Sequence, residues 1–130
     1  MLVRPNLAIV SLPGSYAKNE AMKAMKNGMH VLLFSDNVSI EEENELKEFA
    51  LEHNLLMMGP DCGTALINGV ALGFSNVVRR GNIGLVAASG TGLQEVMVLI
   101  DRLGGGISQA IGTGGRDVSK EIGGKMMLTA

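Results

Sequence analysis

The chain has 130 residues, of which 46% are hydrophobic, and its mean hydropathy of +0.25 is typical of a folded domain with a core and excludes a disordered chain. A net charge of −2, a pI near 5.6 and an aromatic content of 3% argue against a nucleic-acid surface, which needs clustered cations and stacking platforms. Cys62 is the single cysteine, which excludes an internal disulfide and a cysteine-rich metal site.

The apolar segments are short. None approaches the roughly 20 residues that a membrane-spanning helix needs, and the amino-terminal segment lacks a basic leader followed by a cleavage site. We therefore expect a cytoplasmic protein.

The first half alternates between strand and helix patterns. Residues 6–12 and 30–34 are apolar or β-branched, and 55–58 is a third short strand closed by Gly59-Pro60. Between them, Ser15 is a candidate N-cap for a helix over 16–27, and Ser39 with Glu42 forms a capping box for a second helix. The βαβαβ order predicts parallel strands with right-handed crossovers.

The alternation stops after Asp61. Asn68-Gly69 is a turn signal, residues 70–74 favour a small antiparallel strand, and residues 79–82 are polar. We expect an interdomain linker over residues 64–80.

Residues 81–103 predict a strand, a glycine turn and a helix. The apolar run 83–88 suits a strand buried on both faces of a parallel sheet, and the turn is Ser89-Gly90-Thr91-Gly92. The helix is indicated by a stripe of apolar residues at helical spacing: Leu93, Val96, Met97, Ile100 and Leu103. Its first N–H groups would bind an anion such as phosphate, although such a turn also serves many sheets without any ligand.

The last segment adds a strand at 107–111, a glycine loop at 112–117 and the beginning of another helix within 118–128. Arg116 and Asp117, in that loop, are candidates for a polar functional role, whereas a structural role is expected for the histidines and Cys62. The Glu41–Glu43 run is expected to be the solvated first turn of a helix, where acidic residues suit the helix dipole. We expect a fragment that covers the end of one α/β domain and the beginning of a second.

Three motifs in order carry a resemblance to a known family: Gly59-Pro60-Asp61-Cys62-Gly63, then 84–91, then 111–117. From about Leu12 to Leu128 the sequence resembles the α-subunit side of succinyl-CoA synthetases and other NDP-forming acyl-CoA synthetases, and most of all the FdrA-type proteins. The resemblance implies parallel α/β sheets, with residues 1–63 as the end of a Rossmann-like CoA-binding domain and 81–130 as the start of a flavodoxin-like ligase domain.

The resemblance also implies site residues. Pro13, Phe34, Ser35 and Asp36 would line the CoA pocket, although the family's glycine-rich CoA loop lies upstream of Met1. Phosphate would bind at Ser89, Gly90, Thr91 and Gly92, and the phosphorylated histidine of the family lies beyond Ala130, so no catalytic residue and no metal ligand is expected within the chain. Gln94 and Glu95 would lie near the substrate, with Arg116 and Asp117, and Gln94 stands where succinyl-CoA synthetases carry tyrosine, which argues against succinate.

The leading hypothesis is part of an acyl-CoA synthetase subunit that uses CoA and a nucleoside triphosphate with Mg²⁺, and assembles with a β-type partner into an oligomer. A second hypothesis, implied by the resemblance to FdrA-type proteins, is carbamoyl transfer to or from oxamate in allantoin and purine breakdown. The same anion site would serve it, because carbamoyl phosphate resembles an acyl phosphate. A third is a binding or regulatory module without catalysis. By itself the chain is expected to be inactive and to self-associate through exposed sheet edges.

Overall fold

The computed structural model describes residues 3–130. Within them, seven strands and four helices follow one another along the chain. In order they are β1 (Leu7–Val10), α1 (Gly14–Lys26), β2 (His30–Leu33), α2 (Ile40–Glu52), β3 (Met57–Met58), β4 (Thr64–Ile67), β5 (Val70–Gly73), β6 (Arg80–Ala87), α3 (Gly90–Arg102), β7 (Ile107–Gly112) and α4 (Lys125–Thr129).

The first three strands form a parallel sheet in the order β1-β2-β3, which confirms the predicted βαβαβ unit. Apolar residues of α1 and α2, among them Met25 and Leu46, pack with the strands in one buried cluster. The capping box of α2 is present, since Ser39 Oγ accepts the Glu42 N–H at 3.2 Å and Glu42 Oε2 accepts the Ser39 N–H at 3.1 Å. Helix packing against the sheet therefore follows from the apolar stripes.

The start of α1 differs from the prediction. The helix begins at Gly14, Pro13 occupies the N-cap position, and Ser15 makes no capping hydrogen bond. A Cβ on Gly14 would lie 2.3 Å from the Asn37 carbonyl oxygen, so only glycine allows the helix to begin this close to the loop after β2.

The second sheet has the order β5-β4-β7-β6, in which β6 and β7 are parallel and the other pairs are antiparallel. The β4–β5 hairpin turns at Asn68 and Gly69, whose φ angles of 52° and 82° suit a tight two-residue turn. This hairpin lies within residues 64–80, so the stretch expected to be a linker contributes two strands to the second sheet. The division of the chain into domains stays a prediction.

Strand β6 is not buried on both faces, contrary to the sequence-based expectation. It pairs with β7 alone among the described strands, and its residues are exposed or half-buried, with Val86 38% exposed. The helix after it buries Leu93 and Met97, while Val96 and Leu103 are exposed. An apolar run indicates a strand, but its place in the sheet depends on distant partners.

The predicted helix over 118–128 is reduced to α4. Turns fill residues 115–124, and Gly123 and Gly124 have left-handed φ angles of 71° and 72°, which exclude them from a continuous α-helix and separate these turns from α4. The two sheets share an interior, since Leu32 and Met58 of the first pack with Ala65 and Ile111 of the second. Within residues 3–130, no helix combines the length and apolar character needed to cross a membrane.

Candidate functional site

A cleft of about 670 Å³ lies where the carboxyl ends of β2 and β6 meet. Such ends are the usual ligand position in sheets with parallel strands. Residues from both sheets line it: Phe34, Asp61, Gly63, Thr64, Phe74, Ala88, Ser89, Gly90, Thr91, Gln94, Gly115 and Val118. The predicted phosphate turn therefore opens into a cavity and is not packed shut.

The amino terminus of α3 has a defined hydrogen-bond arrangement. Ser89 is the N-cap, and its Oγ accepts the Gly92 N–H at 3.1 Å. The Gly92 N–H, predicted to face a phosphate, is therefore used within the protein. The N–H groups of Gly90 and Thr91 have no hydrogen-bond partner in the part of the chain that the structure describes, so they are the donors that remain at the positive end of the helix.

The two glycines of the turn differ in their surroundings. A Cβ on Gly90 would lie 3.4 Å from Oγ1 of Thr64, which is an ordinary contact, and Thr64 is buried. A Cβ on Gly92 would lie 3.2 Å from Ser89 Oγ and would crowd the capping hydroxyl. Neither glycine has a positive φ, so glycine here keeps space open and is not required by the backbone angles.

An aromatic pair forms another wall of the cleft. The rings of Phe34 and Phe74 are tilted by 59° with centroids 5.5 Å apart, and a Cβ on Gly63 would lie 3.1 Å from Phe74. Gln94 lines the cleft and its Nε2 donates to the Phe74 carbonyl, whereas Glu95 is exposed and is not part of the lining. Of the two residues predicted to lie near a substrate on α3, only Gln94 faces the cleft.

The residues predicted to line a CoA pocket lie together. Pro13, Phe34, Ser35 and Asp36 surround a cavity of about 310 Å³. Ser35 is buried, and its Oγ accepts the Leu12 N–H at 2.8 Å, which joins the loop after β1 to the end of β2. Phe34 lines both this cavity and the cleft, so the two spaces adjoin.

Asp61 is a site residue that the sequence analysis used only as part of a motif. It lies in both cavities, its φ is 53°, and its N–H donates to the Ser35 carbonyl at 3.0 Å. It is the single charged residue in the lining of the cleft. Its position directly after a predicted strand end was the available signal.

Neither Arg116 nor Asp117 is in the lining of the cleft, but Arg116 lines an adjoining cavity of about 310 Å³ that shares Asp61 and Gly115 with the cleft. Arg116 Nη2 donates to the Val38 carbonyl at 2.7 Å. Asp117 is fully buried and cannot touch a substrate in this conformation, because Lys47 and two backbone N–H groups surround its carboxylate.

The cysteine and the histidines do not form a reactive group. Cys62 is buried, its Sγ lies 3.6 Å from the Thr64 carbonyl oxygen, and burial raises the pKa of its thiol, which keeps it protonated at neutral pH. His30 Nδ1 accepts the Leu56 N–H at 3.0 Å, and His53 stacks on Phe49. Both histidines are outside the lining of the cleft.

No family model matches the chain. The Escherichia coli protein described as uncharacterized protein YahF is 63% identical over 125 residues, which is 96% of this chain and 24% of YahF. The α subunit of an ADP-forming succinate–CoA ligase from Methanothermobacter thermautotrophicus is 26% identical over 117 residues, which is 88% of this chain and 40% of that subunit. Among solved structures, ATP citrate lyase from Methanothrix soehngenii, in complex with citrate and coenzyme A, has a TM-score of 0.76 at 20% identity, covering 85% of this chain and 20% of that one.

These comparisons agree on a class of protein. Several homologues are named as subunits of ADP-forming succinate–CoA and sulfoacetate–CoA ligases, and the α/β fold is shared with acetyl-CoA synthetase and ATP citrate lyase. The chain spans between about a quarter and two fifths of the length of these curated relatives.

Proposed function

We propose that the chain forms part of an acyl-CoA ligase subunit, in which the cleft binds a phosphoryl group at the start of α3 and the adjoining cavity binds part of CoA. One observation carries the proposal: the free N–H groups of Gly90 and Thr91 begin the helix that opens into the cleft, and Phe34 joins this cleft to the cavity of the predicted CoA residues. The names of the relatives, which are CoA ligase subunits, support the same class of reaction.

The chemistry proposed for the cleft is electrostatic. Backbone N–H donors fixed at a helix start stabilise charge on a transferring phosphoryl group without having to reorganise. The Ser89 hydroxyl accepts the Gly92 N–H and forms a hydrogen bond with Thr91 Oγ1 at 3.5 Å, in which either hydroxyl can donate. One of these two hydroxyl protons therefore stays available for a ligand. In a solved structure with this fold, an acetyl-coenzyme A synthetase from Ca. Korarchaeum cryptofilum is in complex with phosphate and ADP.

The lining of the cleft has no positively charged side chain to balance a multiply charged anion. Its lining contains the Asp61 carboxylate and no lysine or arginine. We propose that a cation from outside the chain compensates, carried by a nucleotide as Mg²⁺ or supplied by a partner subunit. The residues predicted to bind CoA would hold only part of it, because their cavity of about 310 Å³ is too small for the whole molecule.

The phosphoryl site is tested by titrating inorganic phosphate into ¹⁵N-labelled chain and following backbone amides by NMR. We expect the largest shifts at Gly90 and Thr91. We expect Gly90→Val to weaken the affinity about tenfold or more, because its side chain would occupy the space between the turn and Thr64, which also lines the cleft.

Gly84→Val is the matched control. Gly84 lies on β6, and a Cβ there would meet only Ser108 Oγ, at 3.8 Å, so valine is tolerated far from the turn. Equal phosphate affinity in Gly90→Val and Gly84→Val, or shifts confined to other amides, would contradict the proposed site.

A further inference from the structure

A buried cluster of charges lies outside the cleft, between α2 and the loop after β7. Lys47 Nζ lies 2.7 Å from Glu43 Oε1 and 2.9 Å from Asp117 Oδ1, and the three side chains are at most 1% exposed. Glu43 Oε2 also lies 2.8 Å from Arg116 Nε, without the alignment of a hydrogen bond. Glu43 belongs to the acidic run that the sequence predicts to be solvated. That prediction is wrong for Glu43, because the residue is buried.

Such a cluster is an expensive way to stabilise a fold. Removing a lysine and two carboxylates from water costs several kcal/mol for each ion, roughly as much as their attraction returns, and apolar side chains of similar volume often do as well. Stability alone therefore does not explain why three charged side chains are buried here. The hydrogen bond that Lys47 makes outside the cluster indicates another role.

The third hydrogen bond of Lys47 leads to the phosphate turn. Lys47 Nζ donates to the Thr113 carbonyl oxygen at 3.0 Å, and the same oxygen accepts the Gly59 N–H at 3.3 Å. The Thr113 N–H donates to the Ala87 carbonyl oxygen at 2.9 Å, and Ala87 precedes the Ala88–Gly92 turn directly. The backbone of one residue, Thr113, thus connects α2, the end of β3 and the end of β6.

The loop that contains Thr113 is wedged between two walls of the cleft. A Cβ on Gly114 would lie 2.5 Å from the Pro60 carbonyl oxygen, and a Cβ on Gly112 would lie 2.5 Å from the Thr64 carbonyl oxygen. Pro60 precedes Asp61, and both Asp61 and Thr64 line the cleft. A displacement of the loop would therefore move these walls relative to the α3 donors.

We propose that Lys47 is a positioning residue for the phosphoryl cleft: its ammonium group, held by Glu43 and Asp117, fixes Thr113 and through it the turn that begins α3. This inference rests on the proposed function for its readout, since the cleft it aligns is the proposed phosphoryl site. Lys47 itself has no exposed surface and does not touch the ligand.

The test compares phosphate titrations of the full 130-residue chain carrying Lys47→Met with two other variants. Leu46→Ala removes a buried apolar side chain next to Lys47 and destabilises the fold without touching Thr113. Lys18→Met removes a lysine from the solvent-accessible pair with Glu45. In the folded fraction, we expect Lys47→Met to weaken phosphate binding about tenfold and the other two to leave it within about twofold.

Lys47→Met leaves two buried carboxylates without their partner, which is strongly destabilising, so the triple variant Glu43→Gln, Lys47→Met, Asp117→Asn accompanies it. This variant removes all three charges together, which is often tolerated in a protein interior. If either folded variant binds phosphate as tightly as the parent, the positioning role is overturned.

Hydrogen exchange separates this inference from the proposed function. If the parent chain binds no phosphate, the phosphoryl site fails, but the positioning role is still measured by the exchange of the Thr113 and Gly92 amides. If Lys47 positions the turn, both amides lose more hydrogen-exchange protection in the Lys47 variants than the change in global stability explains. In Leu46→Ala, their loss of protection should match the change in global stability. Unchanged relative protection at both amides would overturn it.

Discussion

At the scale of single residues, Asp61 supplies the one charged side chain in the lining of the cleft, and its charge is negative. Its carboxylate lies among N–H and hydroxyl donors that otherwise favour an anion. Asp61→Asn keeps the size of the side chain and removes the repulsion, so we expect phosphate to bind a few-fold more tightly, and the gain to shrink as salt screens the charges. The same NMR titration measures both effects.

Glu52→Gln is the control for that substitution. It also removes one negative charge, but from the exposed carboxyl end of α2. If Glu52→Gln raised the phosphate affinity as much as Asp61→Asn does, the net charge of the chain would account for the effect. The position of Asp61 in the cleft would then have no effect of its own on phosphate binding.

The sequence predicted the location of a residue correctly when its partners are close in the chain, and failed when they are distant in the chain. Phe34, Ser35 and Asp36 were expected to lie at one sheet edge, and adjacency in the chain was enough to bring them together. Asp117 was expected near a substrate, but its partner Lys47 is 70 positions away, and neither composition nor spacing reveals such a pair. Thr64 and Phe74 were missed for the same reason, because the β4–β5 hairpin carries them to the cleft.

At the scale of elements, local signals predicted helices and strands well and burial poorly. The capping box of α2 was confirmed in detail, since all of its atoms lie within four residues. The run 83–88 was correctly predicted as a strand, yet β6 is exposed because its burial depends on how many strands flank it. Glycines at 123 and 124 ended a helix pattern that the apolar residues alone favoured.

The caps at the two helix starts of the first unit allow a direct comparison. Ser39→Ala removes the hydroxyl that accepts the Glu42 N–H, and we expect it to lower the free energy of unfolding by about 1 kcal/mol. Ser15→Ala changes a serine that makes no capping bond and is exposed, so its effect should stay within about 0.5 kcal/mol. Urea unfolding followed by circular dichroism measures both, and equal losses would show that the capping hydrogen bonds do not stabilise α2.

At the scale of the whole molecule, the two sheets form one interior and have four edge strands, among them β1 and β6. β1 pairs only with β2 and β6 only with β7 among the described strands. Apolar side chains accompany both edges, with Ile9 56% exposed on β1 and Val86 exposed on β6. Open edges with apolar side chains are templates for pairing with another chain.

We therefore expect the chain to self-associate as its concentration rises, and we expect Ile9→Lys to reduce the association. Ile9 lies on the edge strand β1 beside an open groove of about 510 Å³, where a charge would have to be desolvated when a second strand docks. Val77→Lys introduces the same charge at a residue that is 92% exposed in the loop between β5 and β6, and it should leave the association unchanged. Size-exclusion chromatography with light scattering over a concentration series distinguishes the cases: a monodisperse monomer at every concentration would rule out self-association, and equal behaviour of the two lysine variants would mean that β1 is not the edge involved.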